Sequence, residues 1–239
     1  MEQNEQAIEN KAQYIVVDNI EYQLLDGHIK TFEKCLLESE NLKISQTMIK
    51  GVGTAEDYGV GGKNMIKYVL DGKAILRQGA IDTNVSPGNL VIVPSDMRWG
   101  SNLFVQSDQL ILLDIARRVE KQETATSHET SGPDSIRIIK PEDVPTYQPA
   151  GHHKTTNRCL FVDEHMEIIE GTIEVGGGAE RHFHRNHEQM LYMLKGSDKP
   201  LLVYYPKGAP HGTGGGVVAL LKLLVIYSPP LGESRNALG

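Results

Sequence analysis

The chain has 239 residues, a formal charge of −7, 6% aromatic content, 24 glycines and 11 prolines. The negative balance argues against a nucleic-acid backbone as main partner, and no run reaches the roughly 18 apolar residues of a membrane span. The length suits two domains of about 110 to 120 residues, and the turn-rich composition with few helical patterns predicts an all-β fold.

The N-terminus is polar and acidic, with no signal-peptide pattern, so a cytoplasmic protein is expected. One long internal repeat then organises the chain. A shift of 124 residues lays 53–58 and 65–72 onto 177–182 and 189–196, while 91–94 matches 203–206 and 110–115 matches 221–226. The expected layout is a first half at 1–118, a linker at 119–134 and a second half at 135–239. Residues 119–134 are polar and nearly free of apolar side chains, as a linker or mobile loop would be. Residues 135–140 alternate as a short strand, and 141–145 turn the chain toward the second half.

Three features have plain readings. Gly59, Gly61, Gly62 and Lys63 lack the spacing and the Ser/Thr of a phosphate loop and fall where the repeat places a hairpin turn. Cys35 and Cys159, one per half, form no disulfide framework, and their apolar flanks suggest buried small hydrophobes. His152 and His153, with Lys154 and Arg158, either approach a metal or substrate acid or belong to a solvated interdomain loop.

The chemistry concentrates between His182 and His211. On a strand, His182 and His184 are two residues apart and share a face. Gln189 has the wrong parity for that strand, so 185–188 must turn. Gln189, Leu191 and Met193 then line one face of the returning strand, and Met190, Tyr192 and Leu194 the other. His211, after Pro206 and Gly208, supplies a third imidazole. Three imidazoles and an amide oxygen suit Fe, Mn, Ni, Co, Cu or Zn better than Ca or Mg. Glu188 is the alternative oxygen ligand if the turn shifts by one residue, although parity and the step from Gln189 to Gly196 oppose that. His187 sits in the turn as a solvated residue or a neighbour of the ligands.

This pattern resembles the cupin superfamily. Its first motif, H-x-H followed by a carboxylate and then Gly, reads here as His182, His184, Gln189 and Gly196; its second, P-x-G-x-x-H, reads as Pro206, Gly208 and His211. The resemblance implies two tandem cupin barrels (double-stranded β-helix, jelly roll), a bicupin with one divalent transition metal in the second. Gln replaces the family's usual Glu, so the ion would keep its full charge and an anionic substrate could chelate it. At the corresponding first-half positions stand Tyr58, Val60, Met65 and Trp99, so the first barrel is expected to hold no metal. It is a structural partner or, less simply, a small-molecule pocket.

Only nine residues separate Gly196 from Pro206, against 21 between Gly72 and Pro94. Either the second barrel is open on one edge or residues are omitted, and the unpaired edge of an open barrel makes omission the expectation. Open metal positions favour an enzyme acting on a small acid or enol, an oxygenase ahead of an isomerase, cyclase, hydrolase or decarboxylase, with His187, Glu188 and Tyr204 as proton-transfer candidates. A non-catalytic sensing module with a structural metal is the alternative, and a storage-type assembly protein is the least favoured. The expected partners are a small-molecule substrate and a second copy of the chain, since open sheets are commonly covered by a neighbour.

Overall fold

Short runs of β-branched and aliphatic residues punctuated by Gly and Pro give a chain of strands. The computed structural model describes residues 11–56, 65–94, 100–118, 135–213 and 216–231. Tyr58, Val60, Trp99, the 59–63 loop and the 119–134 linker lie outside them. In chain order the strands are β1 (Gln13–Val16), β2 (Gln23–Leu24), β3 (Thr31–Glu38), β4 (Leu42–Lys50), β5 (Gly53–Thr54), β6 (Met65–Asp71), β7 (Ala74–Gln78), β8 (Ile81–Val85) and β9 (Leu90–Val93). They continue with β10 (Leu103–Val105), β11 (Gln109–Arg117), β12 (Arg137–Ile139), β13 (His152–Val162), β14 (Glu167–Ala179), β15 (Glu188–Lys195), β16 (Leu201–Tyr205) and β17 (Leu221–Ser228). Among the described residues the other regular elements are short 3-10 turns, so the fold is all-β, and no helix is long and apolar enough to cross a membrane.

The strands form two units. The first runs from Asp18 to Val144; the second begins at Pro145 and includes the segment through Val17. The first unit has a seven-stranded sheet, ordered β12-β9-β6-β11-β4-β3-β2, and a four-stranded sheet, β5-β10-β7-β8. Its core, including Ile49, Val69, Leu112, Leu76 and Leu103, draws side chains from both sheets. The second unit has one six-stranded sheet, β1-β16-β15-β17-β14-β13. The repeat aligns the six strands of the second sheet with six of the first in the same order, and β2 at the end of the first has no counterpart.

The repeat also extends to strands that the sequence pattern assigns otherwise. β12, expected to open the second half, pairs instead with β9 of the first unit, Arg137 opposite Ile92 and Ile138 opposite Val91. β1, in the N-terminal tail of the expected first half, pairs with β16 of the second unit, Gln13 opposite Tyr204 and Tyr14 opposite Val203. Each strand thus completes the sheet of the other repeat, in matching register.

Gly72 and Gly196 mark the same turn in the two units. Their φ values are +88° and +90°, and a Cβ would stand 2.2 Å from the Gln109 carbonyl oxygen or 2.3 Å from that of Leu220, so only glycine fits. After Gly72 the chain makes the β7–β8 hairpin of the small sheet. After Gly196 it turns directly into β16, and β1 pairs the outer edge of that strand. In this chain the second unit is therefore without a counterpart of the β7–β8 hairpin among its described residues. What stands there in place of a second sheet is pairing of 176–182 with 211–213 and 216–217, including Val217 N–H to the Gly177 carbonyl and the His182–His211 bridge.

The cysteines differ from expectation. Cys35 is exposed, because a bulge between Cys35 and Leu37 lets Leu36 and Leu37 both turn inward. Cys159 is half-buried at a matching bulge, its thiol 3.6 Å from the Glu167 carboxylate.

Candidate metal centre

Backbone pairing sets the cluster before any side chain is considered. His182 and His211 exchange two N–H to carbonyl bonds, each 2.8 Å, which stacks their Cα atoms across a narrow bridge. The Pro206–Gly208 turn is tied back by Gly208 N–H to the His184 carbonyl at 2.7 Å. The ring centroids of His182 lie 4.2 Å from those of His211 and 5.0 Å from His184, with His184 and His211 5.1 Å apart.

One nitrogen from each of the three rings lies within 4.8 Å of the others. Bonds of about 2.0 to 2.1 Å to a common ion need donors no more than about 4.2 Å apart, so small ring rotations suffice. In His182 and His211 the Nδ1 atoms face the carbonyl oxygens of Glu180 and Ala209, at 2.7 and 3.0 Å. A proton on each Nδ1 leaves Nε2 with a lone pair, the tautomer a ligand needs. The buried Nε2 atoms of His184 and His211 and the buried Oε1 of Gln189 have no hydrogen-bond partner. Buried polar atoms are rarely left unmatched, and three of the four atoms in the expected donor set are left so.

Burial, reinforced by His211, His182, His187 and His152, pulls His184 down to about 3. Burial followed by the neighbouring His182 and His152 pulls His211 down to about 4 against the Ala209 hydrogen bond. Both rings are therefore neutral at pH 7, as ligands must be. The residues present fit a divalent transition metal: three imidazoles and one neutral amide oxygen.

Gln189 lies on β15 opposite Tyr205 of β16 and Tyr227 of β17. Opposed residues in an antiparallel ladder share a face. Tyr205 packs on His211 at 4.5 Å and Tyr227 on His184 at 5.3 Å. Neither tyrosine is marked by the motif; Tyr227 becomes readable only once β17 is set in register with β15. Burial pushes the Tyr205 hydroxyl up to about 12, assisted by Tyr14, which hydrogen bonds to it. Burial also raises the Tyr227 phenol.

The other expected site residues are placed differently. Glu188 is buried on the face of β15 opposite Gln189, where the Tyr204 hydroxyl donates to its carboxylate at 3.0 Å. Strand alternation thus separates Glu188 and Tyr204 from the imidazoles and removes Glu188 as the alternative ligand. His187 stands at the rim, 6.2 Å from His184, with Nδ1 2.9 Å from the Pro229 carbonyl oxygen. His152 comes within 6.0 Å of His182 and is lowered by burial. His153, by contrast, reaches the Gly176 carbonyl oxygen on the exposed side, and Arg158 faces Glu170 at 3.8 Å. In the first unit Met65, opposite Val93, packs into the apolar core.

No protein-family model matches the sequence, and a search of curated proteins finds no relative. Solved structures do match. Ylba from E. coli superposes with a TM-score of 0.66 at 13% identity, over 92% of this chain and 91% of that one. An oxalate decarboxylase from Bacillus subtilis with Mn(II) centres gives a TM-score of 0.61 at 12% identity, over 90% and 76%. A cupin 2 conserved barrel domain protein from Leptotrichia buccalis gives 0.53 at 14% identity, over 90% and 96%.

Proposed function

We propose a two-barrel cupin metalloenzyme, a reading supported by the likeness of the fold to cupin proteins and by the chemistry of the site. The second unit holds one divalent transition metal through His182, His184, His211 and Gln189, and the substrate is a small carboxylic acid or enol that binds the ion directly. The observation that carries this reading is the set of unmatched buried atoms on His184, His211 and Gln189. When bound, such an ion supplies Lewis-acid polarisation of a chelated oxygen and, if it is iron, a site for O₂.

The chain's own residues set the rest. Three neutral imidazoles and a neutral amide leave the ion's charge uncompensated, which draws an anionic ligand. Tyr205 and Tyr227 wall the imidazoles and exclude water from two sides. Tyr205, kept protonated well above neutral pH, adds its uncharged ring to the wall beside His211. His152 and His187 stand at the rim, where either can exchange a proton with solvent. The neighbouring oxalate decarboxylase acts on a small diacid and has Mn(II) centres, which favours small acids as the first substrates to examine.

Metal-free protein loaded separately with Mn(II), Fe(II) and Zn(II) is expected to retain one ion per chain. Oxalate, glyoxylate and related small acids should shift the metal spectrum and raise the melting temperature. O₂ uptake by the Fe(II) form would assign an oxygenase, and acid consumption without O₂ a lyase, hydrolase or isomerase. No response to any acid would return the protein to the sensing reading.

A further inference from the structure

We propose that Tyr227 makes Gln189 a metal ligand by fixing which end of the amide faces the ion; the inference rests on the metal reading above. A carboxylate offers oxygen at both ends, so a half-turn about its last bond changes nothing. An amide offers oxygen at one end and two N–H donors at the other. A half-turn of Gln189 would aim those donors at a cation, so the chain must select one orientation.

The Tyr227 hydroxyl can donate as well as accept, and the ladder holds it where it takes up the N–H end and leaves Oε1 for the ion. Tyr227 lies opposite Gln189 between β15 and β17, with Glu167 of β14 on its other side. Gln189 Nε2 donates to the Tyr227 hydroxyl oxygen at 3.1 Å. Gln189 is 6% exposed and Tyr227 8%. The far end of the amide, Oε1, is the buried atom without a partner. The tyrosine ring is packed with Ile169, Ile173, Leu223 and Val225, so it cannot swing to follow the amide. Its edge also lies against His184, and one side chain thereby braces two ligands.

A tyrosine that only fills the core would be replaced by Phe without consequence to the ion. As a positioning residue its effect must pass through Gln189, and this can be read from Mn(II) affinity and the Mn(II) electron paramagnetic resonance spectrum in four proteins. These are wild type, Tyr227→Phe, Gln189→Ala and the double variant. Tyr227→Phe should weaken Mn(II) binding about 10- to 100-fold, the usual cost of losing a residue that orients a ligand, and alter the spectrum. In the Gln189→Ala background the same change should have no further effect. Unchanged affinity in Tyr227→Phe, or an equal loss in both backgrounds, overturns the inference.

A second measurement needs no variant: in Zn(II)-loaded wild type, the Gln189 side-chain NH₂ protons should show nuclear Overhauser contacts to the Tyr227 ring. Their absence also overturns the inference. A wild type that retains none of Mn(II), Fe(II) and Zn(II) defeats the metal reading itself, and this inference with it, whereas retention without a Tyr227 effect defeats this inference alone.

Discussion

The two units share a sheet order and a register, yet at matching positions their chemistry is inverted. The second unit has polar Gln189, the proposed fourth ligand, above an apolar layer of Leu191 and Val225. The first has apolar Met65 at the ligand position and, one layer along, a buried ion pair where the other has aliphatic side chains. Lys67, 1% exposed, donates to Asp114 at 2.6 Å, and Asp114 also accepts from Thr47. The edges differ as well. β7 pairs with β10 in the first unit, whereas the corresponding edge of the second ends beside Val218, which is 96% exposed. The same backbone therefore accommodates a histidine cluster or a salt-bridge layer, and the chemistry follows the few side chains that choose between them.

The sharpest break in this comparison is His184→Ala, which should abolish metal retention by elemental analysis, while His187→Ala keeps most of it. Wild type should hold one ion per chain, and two would erase the contrast between the units. Next in size is the salt-bridge layer. Asp114→Ala leaves Lys67 buried without that carboxylate and should cost about 3 to 5 kcal/mol in urea unfolding of the first unit. Replacing both residues by their counterparts, Lys67→Leu with Asp114→Val, should recover most of that loss.

Acid provides a smaller, graded test. His184 and His211 titrate near 3 and 4 in the fold, below the ordinary value of 6.5. Between those values the unfolded chain binds more protons than the folded one. The stability of the metal-free protein should therefore be fully present above about pH 6.5 and fall as the pH drops toward 4. The loss should shrink in His184→Ala. The smallest effect expected is that of Gln189→Glu, which lowers the site charge by one, keeps the ion and weakens binding of small acids in thermal-shift titrations.

Strand parity made part of this legible in the sequence, and it holds for β15. His182 sits in an isolated bridge and His184 in no strand, so those two rings are placed by the His182–His211 bridge and the Gly208–His184 bond instead. The spacing of His182, His184, Gln189 and His211 carries enough information to converge three imidazoles, and the alternation of 189–194 assigns both faces of β15 correctly. What escaped depends on register between distant strands. Tyr205 is not distinguished from Tyr204 by the motif, which does not say which of two adjacent tyrosines faces inward. Tyr227 needs the β15–β17 pairing, and the outward turn of Cys35 needs a bulge that no local pattern announces. Likewise, the alternation of 135–140 identifies a strand but not the sheet that receives it.

The traffic of β1 and β12 between repeats also bears on biosynthesis. A ribosome releases Gln13–Val16 first, yet the strand that receives it, Leu201–Tyr205, is made near the end. The first unit, by contrast, is complete once Arg137–Ile139 emerges. The unit that carries the proposed metal site is therefore discontinuous in the gene: its edge, and the Tyr14 hydroxyl that bonds Tyr205 beside His211, are encoded more than a domain away from the histidines. A clone starting at Pro145 would carry every proposed ligand and still lack part of the site, and supplying the missing N-terminal strand as a separate peptide should restore what the cut removed.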